Sequence, residues 1–529
     1  MNHAPAPDGA EDTIRSCDLL IVGGGINGAG IARDAAGRGL RVILCEQHDL
    51  AQHTSSASTK LIHGGLRYLE YYEFKLVRKA LQEREILLRS APHIMWPLRF
   101  VMPHDSSQRP AWMIRAGLFL YDHLARRAFL PGSARISLGI HVAGAPLKPG
   151  YRTGFVYSDG WVDDARLVVL NAVDAARRGA TILTRTRCVD ARRDGGGWRA
   201  TLETAGGGQI DVAARAVVNA AGPWAAQFAG MASDAGARHG LRLIKGSHIV
   251  VPKLFDHPYA YIFQNQDKRI VFAIPYQDDF TLIGTTDEEH TGATDQVAIN
   301  SDEVNYLCTA SNRYFKNQIT PGDVVWTYSG VRPLLDDSAA DASAVTRDYL
   351  LECDDGAGIL PLAPLLNIWG GKITTYRKLA EEAMAMLLPR LQTARPAAAI
   401  APAWTAGAPL PGGDFERPGQ LVAHVDFDAY LTRFQAAHPW LPAALALRYA
   451  RCYGTCATLL MGTARELADL GRELCPGLYE AEARYLCDVE WACTAQDILW
   501  RRTKLGLFCQ PQHVARLEQW LLQPVREQT

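Results

Sequence analysis

The sequence has no run of about 18 uninterrupted apolar residues, so nothing in it predicts a helix that crosses a bilayer. It also has almost no net charge: 55 Lys and Arg stand against 56 Asp and Glu. A formal charge of -1 provides no field to gather nucleic acid over the whole surface, so any anion site must be built locally. No C-x-x-C pair occurs among the eleven cysteines. The nearest spacings are Cys452 to Cys456 and Cys487 to Cys493. An odd number of scattered thiols predicts reduced cysteines in a cytosolic protein. The opening MNHAPAPDGAEDTIRS lacks the basic and apolar stretches of a signal peptide, and predicts a disordered tail over residues 1–16. No internal repeat is evident. What is present is an ordinary globular composition, 48% hydrophobic and 21% charged, which excludes intrinsic disorder, collagen and coiled coil. At roughly 100 to 200 residues per domain, the length suggests about three folding units.

From Asp18 the pattern sharpens. DLLIV has strand length, GGGING is a turn, AGIARDAAGRG is a helix rich in small residues, and RVILCE is a second buried strand. This β-α-β unit of about 30 residues opens a doubly wound α/β domain. Phe74 to Ser90 predicts a helix with Val77, Leu81 and Leu88 on one stripe, and 110–128 predicts another. TILTRTRCV, WRATLET and QIDVAARAVV, separated by glycine-rich turns, read as a three-stranded meander. Strand signals dominate from Arg242 to Cys353 (SHIVV, AYIF, IVFAI, FTLIGT, VVWTY, YLLEC) and predict a mainly antiparallel inserted domain. WGGKITTYRKLAEEAMAMLL is a loop leading into a long helix. A Pro/Ala/Gly-rich linker and a helix-patterned C-terminal region follow.

The turn satisfies G-x-G-x-x-G in the required place. Gly23 permits the tight turn, Gly25 lets backbone approach a diphosphate, and Gly28 lets helix and strand pack closely. The helix N-terminus, including Asn27, favours the diphosphate charge. Glu46 ends the second strand and can accept hydrogen bonds from ribose hydroxyls, which disfavours a 2′-phosphate and hence NADP. It does not separate NAD from FAD.

The chain resembles the FAD-dependent sn-glycerol-3-phosphate dehydrogenases of the aerobic, respiratory type over nearly its whole length from Asp18. The resemblance rests on an ordered series: TSSASTKLIHGGLRYLEYYEF from Thr54, PAWMIRAGLFLYDHL from Pro110, WVDDARLV from Trp161, NAAGPW from Asn219, RLIKGSHIVVP from Arg242, IGTTD from Ile283, WTYSGVRPL from Trp326, TRDY from Thr346, GGKITTYRKLAE from Gly370 and ILWRRTKLGL from Ile498. It implies a Rossmann-like FAD-binding domain with an inserted antiparallel-sheet substrate domain, like D-amino-acid oxidase, and a helical C-terminal domain. The implied division is residues 17–75, 150–235 and 355–392 for FAD, 76–149 and 236–354 for substrate, a linker over 393–413, and 414–529 for the last domain.

The resemblance implies FAD contacts from the hydroxyl-rich loop (Thr54, Ser55, Ser56, Ser58 and Lys60), from His63, Gly64 and Gly65, from Val189 by its backbone, and from Ala221, Gly222 and Trp224. Gly371, Lys372 and Thr374 would meet the flavin edge where negative charge develops on reduction. Arg67, Arg332, Arg347 and Lys372 are the implied cations for a phosphorylated three-carbon substrate, with Tyr68 for a substrate hydroxyl. Removing a hydroxyl proton calls for a base poised near neutrality; His248 and His63 are the candidates, and the choice between them stays open.

The implied reaction oxidises sn-glycerol 3-phosphate to dihydroxyacetone phosphate and passes electrons to ubiquinone, without metal and without nucleic acid. A soluble oxidase using O2, an amine-oxidising flavoenzyme, an NAD-linked dehydrogenase and a non-enzymatic flavin-binding sensor are the alternatives. The 110–128 helix places Met113, Leu120 and Leu124 on one face and Arg115, Asp122 and Arg126 on the other. It reads either as docked on the protein's own core or as an in-plane anchor on the cytoplasmic face of the cell membrane. Related enzymes are often dimers, so a homodimer is an allowed partner.

Overall fold

A computed structural model describes residues 14–105, 108–233, 239–267, 269–335, 348–355, 362–392, 401–421 and 426–523. Among the described residues up to Gln392, two large sheets form the framework. The first has eight strands around a parallel core, in which Leu365–Trp369, Gln209–Asn219, Arg15–Val22, Val42–Cys45 and Thr181–Leu183 lie side by side. Leu19, Leu20 and Ile21 are fully buried, as expected of a central parallel strand covered on both faces. The helix Ile26–Gly37 packs on this sheet between helices Asp164–Arg177 and Tyr376–Gln392. Its small residues are needed: a Cβ on Gly30 would come within 2.7 Å of the Tyr376 ring.

The second sheet has ten strands. Its spine is the antiparallel pair Leu241–Pro252 and Trp326–Leu335, whose register sets Lys245 opposite Val331 and His248 opposite Tyr328. The C-terminal region packs helices Phe427–Ala437, Ala443–Tyr453, Glu480–Glu490 and Pro511–Leu521 around one apolar cluster, with a two-stranded ribbon at Glu473–Cys475 and Leu478–Tyr479.

The doubly wound fold with an added antiparallel sheet and a helical C-terminal region is as expected. Three strands fall elsewhere than read. TILTRTRCV is two strands, broken at Arg185, whose φ of 51° turns the chain. Its first part joins the parallel sheet and only Thr186–Asp194 belongs to the meander. YLLEC, assigned to the substrate sheet, is an antiparallel edge of the first sheet, paired to Leu365–Trp369. Thr153–Val162, assigned with the FAD segments, pairs along its whole length with Met95–His104 in the second sheet. In each case long-range pairing decides what alternation alone leaves open. Of the expected linker, residues 393–400 lie outside the described residues. Trp404 is docked, with the guanidiniums of Arg178 and Arg33 over its ring at 3.9 and 4.9 Å. Of the expected tail, residues 1–13 lie outside the described residues and Arg15–Cys17 already belong to the first strand.

Candidate active site

A cavity of about 780 Å³ runs along the C-terminal ends of the parallel strands. Gly23, Gly25, Asn27, Glu46, Thr54, Ser55, Ala221, Gly222, Trp224 and Gly371 all line it, so the two ends of the motif series meet around one space. The fingerprint is tight. A Cβ on Gly28 would lie 1.9 Å from the Gly23 carbonyl oxygen, and one on Gly23 would lie 2.3 Å from that of Ala220. Gly28 thus shapes the turn without lining the space. Asn27 bridges to the other end of the domain through Nδ2, which donates to the Gly370 carbonyl at 3.1 Å. Its buried Oδ1 has no partner among the described residues and is available to a ligand donor.

Glu46 is buried, and its carboxylate accepts from the N–H groups of Gly24 at 2.7 Å and His48 at 2.8 Å. Burial raises its pKa and the two N–H groups oppose that. Each oxygen keeps a lone pair for a hydroxyl donor. A cavity lined by a small-residue diphosphate turn and by a buried carboxylate is what a dinucleotide requires, and the residues present fit FAD.

The loop after the second strand divides its side chains between two jobs. Thr54 Oγ1 donates to the Val331 carbonyl at 2.7 Å and ties the two sheets together, while Ser55 Oγ accepts from Ile26 N at 3.0 Å. Ser56 Oγ donates to the His53 carbonyl. Ser58 and Lys60 do not line the cavity with their side chains. Buried Asp164 draws both away, accepting from Ser58 Oγ at 2.7 Å and from Lys60 Nζ at 2.8 Å. Gly64 is likewise explained by packing, since a Cβ there would meet Leu81 and the Tyr121 hydroxyl. Gly65 has φ +73° and faces the Tyr68 ring. Val189 sits at a bulge in its strand, and its predecessors Thr186, Arg187 and Cys188 reach the cavity instead.

Beyond the glycines of the last turn lies a cluster of the predicted chemical groups. Lys372 Nζ stands 4.2 Å over the Tyr68 ring. Thr374 Oγ1 accepts from His63 N at 3.3 Å, and the His63 imidazole is held below its ordinary pKa by burial and by the nearby charges of Lys372 and Arg84, against Asp159. His248 is 2% exposed, stacks on Tyr328 at 4.7 Å and shares a hydrogen bond of 3.0 Å between Nε2 and Thr59 Oγ1. Burial first, then the charges of Lys60 and Arg332, keep it well below its usual pKa. Both imidazoles are therefore neutral at pH 7 and able to accept a proton. Arg332 is half-exposed and oriented by Asp287 Oδ1 at 2.9 Å and the Thr286 carbonyl at 3.4 Å. Among the described residues, Arg67 reaches the Tyr71 hydroxyl, at 3.5 Å. Arg347 lies outside the described residues.

Sequence reasoning missed a group of cavity residues that belong to no motif: Gln47, His48, Gln52 and His53, together with Arg187 and Asp295. His48 and His53 hydrogen-bond ring to ring at 2.9 Å, and burial pushes His53 down to about 4. Their position directly after Glu46 was the available signal.

Comparison with known proteins agrees with this geometry. Residues 18–377 match the family described as FAD dependent oxidoreductase, and residues 403–521 match the C-terminal domain of alpha-glycerophosphate oxidase. A glycerol-3-phosphate dehydrogenase of Pseudomonas aeruginosa is 55% identical over 95% of this chain and 94% of its own. A D-erythritol 1-phosphate dehydrogenase of Brucella abortus is 50% identical over 96% and 97%. The crystal structure of the glycerol-3-phosphate dehydrogenase of Bacillus halodurans, complexed with FAD, superposes with a TM-score of 0.71 at 26% identity, covering 96% of this chain and 88% of that one. The chain belongs to the FAD-dependent oxidoreductases and, within them, to the glycerol-3-phosphate dehydrogenase family.

Proposed function

We propose that this enzyme oxidises sn-glycerol 3-phosphate at C2 to dihydroxyacetone phosphate and delivers the electrons to a membrane quinone. The observation that carries the reading is the grouping of Arg332, Lys372 and Tyr68 with two neutral imidazoles beside the turn Gly370–Gly371. Bound FAD supplies a ring that accepts a hydride. Arg332, held by Asp287, presents its guanidinium to the phosphate, and Lys372 adds the second cation. A neutral imidazole takes the C2 hydroxyl proton as the carbon is oxidised.

The membrane part of the reading rests on the helix Ala111–His123. It buries Leu118 and Tyr121 and exposes Trp112, Met113, Phe119 and Leu120. Arg115 lies nearby, donating to the Ser133 carbonyl at 3.0 Å. An exposed aromatic face beside Arg115 suits peripheral attachment to an anionic bilayer, here the cytoplasmic face of the cell membrane, where a lipid-soluble quinone is reached. Among the described residues no helix is long and apolar enough to cross a membrane.

Anaerobic absorbance tests the reading. The flavin bands should bleach on addition of sn-glycerol 3-phosphate and persist with glycerol. Bleaching by D-erythritol 1-phosphate at a higher kcat/KM would move the substrate to the longer phosphate ester, as the Brucella relative's name allows. Reoxidation faster in oxygen than with a soluble quinone would make the enzyme an oxidase.

A further inference from the structure

The C-terminal domain meets the cavity rim through one turn. Residues Asp497–Arg502 form a π turn, with Thr503 N donating five residues back to the Ile498 carbonyl at 3.0 Å. The wider turn places Asp497, Arg501 and Arg502 together, and such turns recur at functional sites. Arg501 Nε donates to Asp49 Oδ2 at 2.6 Å, and Arg502 forks onto the same carboxylate at 2.7 and 2.8 Å. Asp497 accepts from Arg185 Nη2 at 2.6 Å and is also bonded by Arg501.

Asp49 and Arg185 stand on the two lips of one end of the cavity. Asp49 lies inside the segment that contributes Gln47, His48, Ala51, Gln52 and His53 to the wall. Arg185 directly precedes Thr186, Arg187 and Cys188 on the facing wall. The lips also bond each other, Arg185 N to the His48 carbonyl at 2.8 Å and Thr186 N to that of Glu46 at 2.7 Å. This is the Glu46 end, which the fingerprint geometry makes the adenosine end. Loops that line a cavity are drawn from the least stable parts of a fold, and a loop ordered in advance binds its ligand more tightly.

We propose that the C-terminal domain is a cofactor clamp. Its π turn orders both lips of the adenosine end, with Asp49, Arg185, Arg501 and Arg502 acting as positioning residues. The proposal rests on the reading of the Glu46 end as the adenosine end. The test is fluorescence titration of the apoprotein with FAD, beside melting of the apoprotein alone, for Arg185→Gln, Arg185→Lys, Arg501→Lys and Glu46→Gln. The expected result is a Kd for FAD raised about tenfold in Arg185→Gln and Arg501→Lys, largely recovered in Arg185→Lys, with apoprotein Tm within about 2 °C of wild type. Should Arg501→Lys fail to fold, Arg185→Gln decides alone, because that side chain is partly exposed. A Kd unchanged in the arginine variants while Glu46→Gln loses FAD overturns the clamp and leaves the adenosine end in place. A Kd unchanged in all of them overturns the reading of that end and the clamp with it. Weaker FAD binding matched by a melting loss of several degrees marks a purely structural contact and also overturns the proposal.

Discussion

Two imidazoles, buried His248 and half-buried His63, are the candidate bases, and their surroundings separate them. His248 has Nε2 bonded to Thr59, and its buried Nδ1 has no partner among the described residues. His63 lies between opposing charges, Lys372 and Asp159. If His248 is the base, His248→Asn should lower kcat by about 10²- to 10⁴-fold with FAD still bound, while His63→Asn changes it less. Because both pKa values are lowered, the base stays deprotonated below its ordinary 6.5, and kcat/KM should hold until pH falls well under that value. The reverse ranking of the two variants would assign the role to His63. Arg332→Ala should cost about tenfold to a hundredfold in kcat/KM for the phosphorylated substrate, the worth of a charge-assisted contact.

At this scale, legibility followed geometry. Gly23 and Gly28 were readable because a backbone oxygen within 2.3 Å of a Cβ admits no other residue. Ser58 and Lys60 turn their side chains to Asp164, and a hydroxyl-rich loop reads alike whether it faces a cofactor or an aspartate about a hundred residues away.

Among the elements, the helix Ala111–His123 had two expected facings, docked on the core or turned outward as an anchor. Met113 and Leu120, on the apolar stripe, are exposed, whereas Tyr121 points inward and its hydroxyl meets Asp159 at 2.7 Å and Gly64 N at 2.9 Å. Periodicity found the stripe; it carries no information on which side the rest of the protein lies. The double variant Trp112→Ser, Phe119→Ser should weaken co-sedimentation with anionic vesicles by about a hundredfold or more, at roughly 1.5 to 3 kcal/mol per aromatic side chain. Unchanged binding would remove this helix as the anchor. The β-α-β opening was legible because its period switches over few residues. The strands Thr153–Val162 and Leu350–Asp354 were assigned to the wrong sheet because their partners are distant in sequence or follow another segment.

The whole molecule depends on buried charge. Asp49 and Arg502 are fully buried, and Arg166 pairs with Glu490 between the first sheet's helices and the C-terminal domain. His93, fully buried near Arg166 and Arg451, is pushed down to about 3, mainly by burial and then by those two charges. Unfolded, it would titrate near 6.5, so the unfolded chain binds the extra proton between those values. The stability this group contributes is whole above about pH 6.5 and is lost progressively as pH falls toward 3. Urea titrations should show Cm falling on acidification from 6.5 to 5, and His93→Leu should flatten that slope. An unaltered slope in the variant would assign the acid sensitivity to other groups.

The centre of the first sheet also sets an order of assembly. Strand Arg15–Val22 finds Val42–Cys45 at once, but its other neighbour is Gln209–Asn219, and that strand's next partner is Leu365–Trp369. At about 5 to 20 residues per second, a ribosome needs roughly 10 to 40 s to make the residues between the first strand and its second partner. Through that interval an apolar strand that is central in the finished protein stands at an edge, and this half-built sheet is the species that slower translation or a holding chaperone would have to protect.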